Sequence, residues 1–390
     1  MNCGESDRCN AADGDTFKTV EPGIESEIAM HNSDRRDHNA HLTRGKAGLG
    51  ALKRRELIAM LAGFTASLTV SGCFNSEDTT AAANAPTSDR LGDLLPLRNL
   101  GAGGPVVTNL GAGGDHIGSA SERDAQAIIE KALEEGIRFF DNAPLYSDGV
   151  SEERFGKFLT PNYRDVSFIM TKTLARNKAD ALTDLDASLS RMKTDYVDLW
   201  QVHALETSER VEERVRDGIL DALLEAQESG KVRYIGFTGH DSFEGHLKLL
   251  EEIEARGVKM DAAMIPVNPA DPHFKSFIMN VLPKCVEAGI GVLAMKTLAY
   301  GRLLGGNQGW RRTEVSLEPA IPDVISLEEA FGFAWSLPVT CLVSGMESVE
   351  QVSQNAAMAR ETWNWNQAEL QRRIDALAPF SGPDLEFYKL

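Results

Sequence analysis

Residues 91–390 predict a closed (β/α)8 TIM barrel with an N-terminal β-hairpin at its bottom, and three observations point there. Short apolar, β-rich runs alternate with helical patterns eight times over about 300 residues, the rhythm of successive strand–helix units. An open doubly wound sheet would favour a Gly-x-Gly-x-x-Gly turn after its first strand, and Gly111-Ala112-Gly113-Gly114 lacks that spacing. Polar residues stand just beyond several of the apolar runs, where a barrel gathers them at one mouth.

Each element has a local reason. Leu97–Leu100 and Pro105–Thr108 flank Gly101-Ala102-Gly103-Gly104 as a small hairpin. A strand near Thr108–Gly111 leads through a Gly-rich turn to a helix opened by Ser121, with Asp124 three residues on, and stopped by Gly136. The alternation then gives strand 137–140 with helix 151–159, strand 166–170 with helix 178–190, and strand 196–202 with helix 211–229. It continues with strand 232–237 and helix 242–256, strand 261–265 and helix 274–288, strand 290–294 and helix 326–336, strand 340–343 and helix 348–360.

The segment before residue 91 reads differently. Residues 1–52 are polar and without apolar period, the signature of a disordered extension. Residues 53–73 join Lys53-Arg54-Arg55 to a short apolar stretch, Leu57–Val70, that ends in Val70-Ser71-Gly72-Cys73. A basic pair, a short apolar region and small residues make an export signal, and paired arginines suggest the twin-arginine route for folded proteins. Val-Ser-Gly-Cys resembles a lipoprotein box, in which Cys73 would become a lipidated anchor. The expectation is a periplasmic or membrane-anchored protein; without that signal it would be cytoplasmic. Residues 74–90, rich in Ala, Thr, Asn and Ser, read as a flexible linker.

Composition narrows the function classes. With 42% apolar and 25% charged residues the chain is an ordinary globule able to bury a large core. A net charge of −18 leaves no basic surplus for phosphates, which opposes nucleic-acid binding. Five cysteines without regular spacing exclude a disulfide scaffold and a zinc cluster.

Asp141, Tyr146, Lys172 and His203 follow the ends of the second, third and fourth barrel runs and would therefore converge. A tyrosine near its usual pKa of about 10 is a weak acid at neutral pH. A neighbouring ammonium such as Lys172 lowers that value and makes Tyr146 a better proton donor, with Asp141 holding the ammonium in place. His203 would hydrogen-bond a substrate oxygen and align it. No nucleophile stands beside a base, so a proton donor and an orienting group suit hydride reduction of a carbonyl.

At these residues the chain resembles the aldo-keto reductase family, over roughly residues 92–360. Phe139-Phe140-Asp141-Asn142-Ala143-Pro144-Leu145-Tyr146, followed by Ser151-Glu152 and Gly156, resembles that family's Asp-x-Ala-x-x-Tyr and Ser-Glu-x-x-x-Gly segment. Thr171-Lys172 and Gln201-Val202-His203 match its strand-three lysine and strand-four histidine. The resemblance implies a nicotinamide-dependent oxidoreductase acting on a small-molecule carbonyl substrate, with tyrosine as acid, lysine and aspartate tuning it and histidine orienting the carbonyl.

It also implies where NADP(H) or NAD(H) would sit. Thr238 and Gly239 take the places of a Ser-Asn pair at the nicotinamide carboxamide, Met264 takes a glutamine's place, and Asn268 follows in the next loop. Met295-Lys296-Thr297-Leu298 stands for Tyr-Ser-Pro-Leu, so Met295 would cover the ring and Lys296 would face the pyrophosphate. Ser344, Gly345, Met346, Gln351 and Asn355 resemble the adenosine segment. Met346 and Gln351 replace the Lys and Arg that usually surround a 2′-phosphate, and Glu347 adds a carboxylate, which suits a ribose hydroxyl better than a phosphate. The altered nicotinamide positions keep a second reading in view, a nucleotide-binding sensor or assembly module with little turnover. The loop Gly301–Asp323, with Trp310, would close over ligand, and the tail with Trp363, Trp365, Phe387 and Tyr388 would cover the mouth or pack on the barrel side.

Overall fold

A computed structural model describes residues 78–304, 321 and 324–389. The polar extension, the signal with Cys73 and most of the 301–323 loop lie outside the described residues.

Two short antiparallel ribbons precede the barrel: β1 (Ser88–Asp89) with β2 (Gly92–Asp93), and β3 (Leu97–Asn99) with β4 (Val106–Thr108). The second is the expected hairpin. The first falls partly within the stretch read as linker, where Asp78–Asn84 are also helical. Asp89 is tied to Arg138 by a two-pronged hydrogen bond at 2.6 and 2.9 Å, so the chain is anchored from that residue onward.

Eight parallel strands then close in sequence order: β5 (Leu110–Ala112), β6 (Phe139–Asp141), β7 (Phe168–Thr173), β8 (Val197–Val202), β9 (Val232–Thr238), β10 (Ala262–Pro266), β11 (Gly291–Met295) and β12 (Cys341–Ser344). The last pairs with the first through Leu342–Leu110 and Ser344–Ala112, which removes both sheet edges. Helices cover the outside, so strand residues alternate between two cores. Phe139, Met170, Leu199, Leu293 and Cys341 fill the barrel interior, joined from below by Leu100 and Val107 of the hairpin. Phe140, Ile169, Trp200, Ile235 and Leu342 face the helices. The hairpin therefore closes the barrel bottom, as expected.

Three elements depart from the sequence reading. The helix expected over 211–229 is two, Ser208–Arg216 and Ile219–Glu228, because Gly218 turns the chain at φ +91° between them. The helix expected over 274–288 is broken into Phe277–Asn280 and Leu282–Glu287, the second restarting at Pro283, which has no N–H to continue the previous turn. The strands also run further toward the mouth than their apolar runs. Asp141 is the last residue of β6 and Lys172 lies within β7, paired with Gln201, and only His203 stands beyond its strand.

Candidate active site

The mouth is built by strand register and one strained turn. Asp141 pairs with Met170, which sets its side chain beside Lys172 on the neighbouring strand. The turn to the next helix starts with Asn142, whose Oδ1 accepts from Ala143 N at 2.8 Å, and Tyr146 N donates to Ala143 O at 3.1 Å. Ser147 and Asp148 then take φ of 51° and 53°, a region non-glycine residues seldom occupy. That turn brings Tyr146 back over Asp141. His203 is placed by its N–H to Thr173 O at 2.9 Å.

All four side chains meet. Lys172 Nζ donates to Asp141 Oδ1, to Asn142 O at 2.7 Å and to Tyr146 Oη at 2.9 Å, which uses its three hydrogens. Tyr146 Oη donates to Asp141 Oδ2 at 3.3 Å. The Tyr146 and His203 rings stand edge to face, 6.3 Å between centroids. Lys172 is 1% exposed and Asp141 3%, so burial pushes the carboxyl up and the ammonium down, while their mutual attraction opposes both shifts.

The phenol corrects one expectation. Burial, then the Asp141 and Asp115 carboxylates, raise Tyr146 well above its usual value. The ammonium alone would lower it; in the fold burial dominates and the Asp141 carboxylate opposes the ammonium. Tyr146 is a firmly protonated donor. Burial holds the His203 imidazole well below its usual value, helped by Lys172, so the ring is neutral near physiological pH. Its Nδ1 has no hydrogen-bond partner among the described residues.

Two supports had no role assigned from the sequence, although Glu152 lies in the Ser-Glu-x-x-x-Gly segment. Arg214, 7% exposed on the helix Ser208–Arg216, donates to His203 O at 2.8 Å, Thr173 O at 3.3 Å and Ala175 O at 3.0 Å. It joins the segments after β7 and β8. Glu152, 0% exposed, accepts from Thr171 Oγ1 at 2.5 Å and from Arg191 Nε at 2.7 Å, bracing the strand next to Lys172. An arginine or glutamate in an amphipathic helix carries no signal that it points inward.

The residues matched to the nicotinamide positions are placed as follows. Thr238 Oγ1 donates to Met264 O at 3.0 Å, so its hydroxyl is engaged within the barrel wall. A Cβ at Gly239 would stand 2.7 Å from Leu205 N and 2.9 Å from His246 Cε1, which explains why no side chain follows Thr238. Asn268 is 0% exposed, and its amide donates to Glu386 Oε1 at 3.0 Å and Tyr388 Oη at 3.1 Å while Oδ1 accepts from Ala270 and Asp271. The tail has claimed it. Met264 and Met295 belong to the barrel interior, with Met295 9% exposed at its top. Leu298 packs toward Leu303, Leu385 and Tyr388.

At the far end, Met346 turns into the core at 2% exposure, so only its backbone is available there. Gln351 Oε1 accepts from Glu347 N at 2.7 Å, and Asn355 Nδ2 donates to Ser344 Oγ at 3.0 Å. A Cβ at Gly345 would stand 2.1 Å from the His116 ring, so the strand end stays bare. Thr297 Oγ1 is buried without a partner among the described residues, and the neighbouring Lys296 is a half-buried cation. An orphaned hydroxyl and a bare backbone edge fit a nicotinamide nucleotide, though less completely than its carboxamide positions predict.

The tail divides between the two expected places. Phe387 and Tyr388 pack on Tyr300 at the mouth, and Tyr388 O lies 3.1 Å from His240 Nδ1. Trp363 stacks on Trp335 on the barrel's flank. A cavity of about 310 Å³ lies at the opposite end of the barrel, lined by Leu97, Val107 and Phe168, where Arg138 is already paired with Asp89.

A closed (β/α)8 barrel with acid, phenol, ammonium and imidazole gathered at the carboxyl ends of its strands defines an α/β-barrel enzyme. Comparison with known proteins gives its family. The model of the aldo/keto reductase family matches residues 109–321. L-galactose dehydrogenase of Arabidopsis thaliana is 27% identical over 290 residues, covering 68% of this chain and 89% of that protein. The NADP(+) aldo-keto reductase yakc of Schizosaccharomyces pombe is 28% identical over 233 residues, covering 54% and 63%. An aldo-keto reductase from Bacillus halodurans, solved in its holo form, superposes with a TM-score of 0.59 at 24% identity, covering 75% of this chain and 100% of that one. The chain belongs to the aldo/keto reductase family and is an NAD(P)H-dependent oxidoreductase.

Proposed function

We propose that the protein reduces an aldehyde or ketone with Tyr146 as general acid, Lys172 and Asp141 tuning it and His203 orienting the carbonyl. The contact that carries this reading is Lys172 Nζ to Tyr146 Oη at 2.9 Å inside a buried cradle. A carbonyl oxygen set between the phenol and the neutral imidazole is polarised by two hydrogen bonds. The nicotinamide group, when bound, supplies the hydride. As charge grows on the oxygen, the Tyr146 hydroxyl turns from Asp141 to the substrate and gives up its proton. An alkoxide is a far stronger base than a phenolate, so the transfer runs downhill even from a phenol raised by burial. The phenolate left behind is stabilised by Lys172, whose remaining hydrogens stay on Asp141 and Asn142.

For the nucleotide, Thr297 and the Gly345 backbone are the groups we assign, with Glu347 and Gln351 favouring NAD(H) over the NADP(H) usual in the family. The experiment compares Tyr146→Phe with the native protein. Carbonyl reduction should fall by at least about 10²-fold, the range of a lost general acid, while fluorescence titration gives unchanged NADH and NADPH affinities. Retained reduction would remove Tyr146 from its role, and a clear preference for NADPH would reverse the nucleotide assignment.

We further propose that residues 53–73 direct export by the twin-arginine route and that Cys73 becomes a lipid anchor, with 74–90 leading to the barrel at 91–390. The support is Lys53-Arg54-Arg55, the short apolar stretch and Val70-Ser71-Gly72-Cys73. Fractionation of the native protein with mass spectrometry of its amino terminus should find a mature chain starting at Cys73. An uncleaved cytoplasmic chain would end the proposal.

A further inference from the structure

A second ammonium–phenol pair faces the same mouth. Lys296 is the first residue after β11, and its Nζ donates to Tyr300 Oη at 2.5 Å while lying 3.8 Å from the ring centroid. The tail holds Tyr300 from the other side, with ring centroids of Phe387 at 5.3 Å and Tyr388 at 6.1 Å. The turn is strained. Lys296, Ala299 and Tyr300 take φ of 56°, 45° and 59°, all in the left-handed region that favours glycine. Three such residues in five persist only where the surroundings impose them, and such strain gathers at ligand sites.

The pair is short of negative charge. Asp141 is spent on Lys172, and Asp241 is engaged with His240 at 2.8 Å. Asp115 on the rim acts on Lys296 through space, but no carboxylate among the described residues comes within ion-pair distance of it. A half-buried ammonium whose partner is a neutral hydroxyl gains from any anion that joins it. Burial pushes the Tyr300 phenol up, so it keeps a proton that can point at that anion. Lys296 follows β11, so the pair stands at the same end of the barrel as Tyr146 and His203, and Tyr300 acts electrostatically on the first and Lys296 on the second.

We propose that Lys296 and Tyr300 form a specificity site for an anionic group of the substrate, so that the protein selects carbonyl compounds carrying a carboxylate. The inference rests on the carbonyl-reductase reading above. Burial draws the Lys296 ammonium down to about 8; Lys172 acts in the same direction, and Asp115, Asp141 and Asp241 act against it. Tyr300 stands in hydrogen-bond contact with it, and His203 feels its charge. The site is therefore charged below that pH and fades above it.

The test uses the full chain with 5-oxopentanoate and pentanal, aldehydes of equal length that differ in the terminal carboxylate. The ratio of their kcat/KM values should favour 5-oxopentanoate by at least about tenfold at neutral pH, the scale of one charged hydrogen bond. It should decline as pH rises through about 8 and collapse toward one in Lys296→Met. A native ratio near one, or a ratio indifferent to Lys296→Met, overturns the proposal. So does weakened nucleotide binding in Lys296→Met with the ratio intact, because the cation would then serve the diphosphate. Calorimetric titration with pentanoate and pentanamide needs no turnover, and only pentanoate should bind, and only with Lys296 present. If neither aldehyde is reduced yet pentanoate binds through Lys296, the reductase reading fails and the subsite stands. If pentanal is reduced and pentanoate does not bind, the subsite fails alone.

Discussion

Arg214 carries its charge inside the protein and, among the described residues, meets three backbone carbonyls from the ends of two strands and no carboxylate at contact distance. Burial draws its guanidinium down to about 10, still far above neutral pH, so it remains a cation. A planar fork suits this task because its two terminal nitrogens reach His203 O and Ala175 O together while its charge stays fixed. Arg214→Met should leave buried acceptors unpaired and lower stability by about 1–3 kcal/mol in urea unfolding. If Arg214 positions His203, kcat should fall about tenfold while nucleotide affinity holds. Unchanged reduction in a destabilised variant would reduce Arg214 to a loop tie. The same scale explains Tyr146, where the residue types were legible and the sign of the phenol's shift was not. That sign depends first on burial of the phenol and then on the Asp141 carboxylate beside it, neither of which separate strands display.

Element ends follow local chemistry closely. Ser121 accepts from Asp124 N, Ser348 from Gln351 N, and Ser326 with Glu329 forms a full capping box, so these helix starts needed nothing beyond a few residues of sequence. Packing between elements needed more. His246 on the helix Phe243–Arg256 is 0% exposed, its Nδ1 on Ser242 O at 3.0 Å and its ring edge-on to Phe277 at 5.0 Å. Burial lowers the imidazole to about 4, from an ordinary value near 6.5. The unfolded chain therefore takes up the proton first as pH falls. The stability concerned is complete above pH about 6.5 and is lost progressively toward pH about 4, roughly 3 kcal/mol over the interval. Urea unfolding at neutral pH and at about pH 5 should show this loss, and His246→Leu should flatten it. An equal loss in that variant would assign the acid limb to other groups.

For the whole molecule, barrel closure is what turns four dispersed residues into one site. Asp141 and His203 lie on β6 and just beyond β8, and only strands paired side by side with their carboxyl ends level bring them together. The tail then completes the mouth. Lys389, 3% exposed, pairs with Asp271 at 2.6 Å and Glu386 at 2.7 Å, clamping the chain end against the loop after β10. That clamp takes Asn268 for structure and presents Tyr388 to Tyr300. Nothing local to residues 380–389 says that they fold back, because the partners are more than a hundred positions away.

The sequence by itself determined the barrel, its order of strands, several helix starts and the four residues that meet at the mouth. These rest on periodicity and caps, which are local, and on a strand alternation that admits few topologies. Only the tertiary structure decided the buried charge balance around Tyr146, the inward reach of Arg214 and Glu152, and the fate of the nicotinamide positions. Gly239 has no room for a side chain, Thr238 is bonded across to β10, and Lys296 meets Tyr300 through a left-handed turn. The first two depend on atoms from separate elements arriving within about 3 Å, the range over which hydrogen bonding and desolvation act.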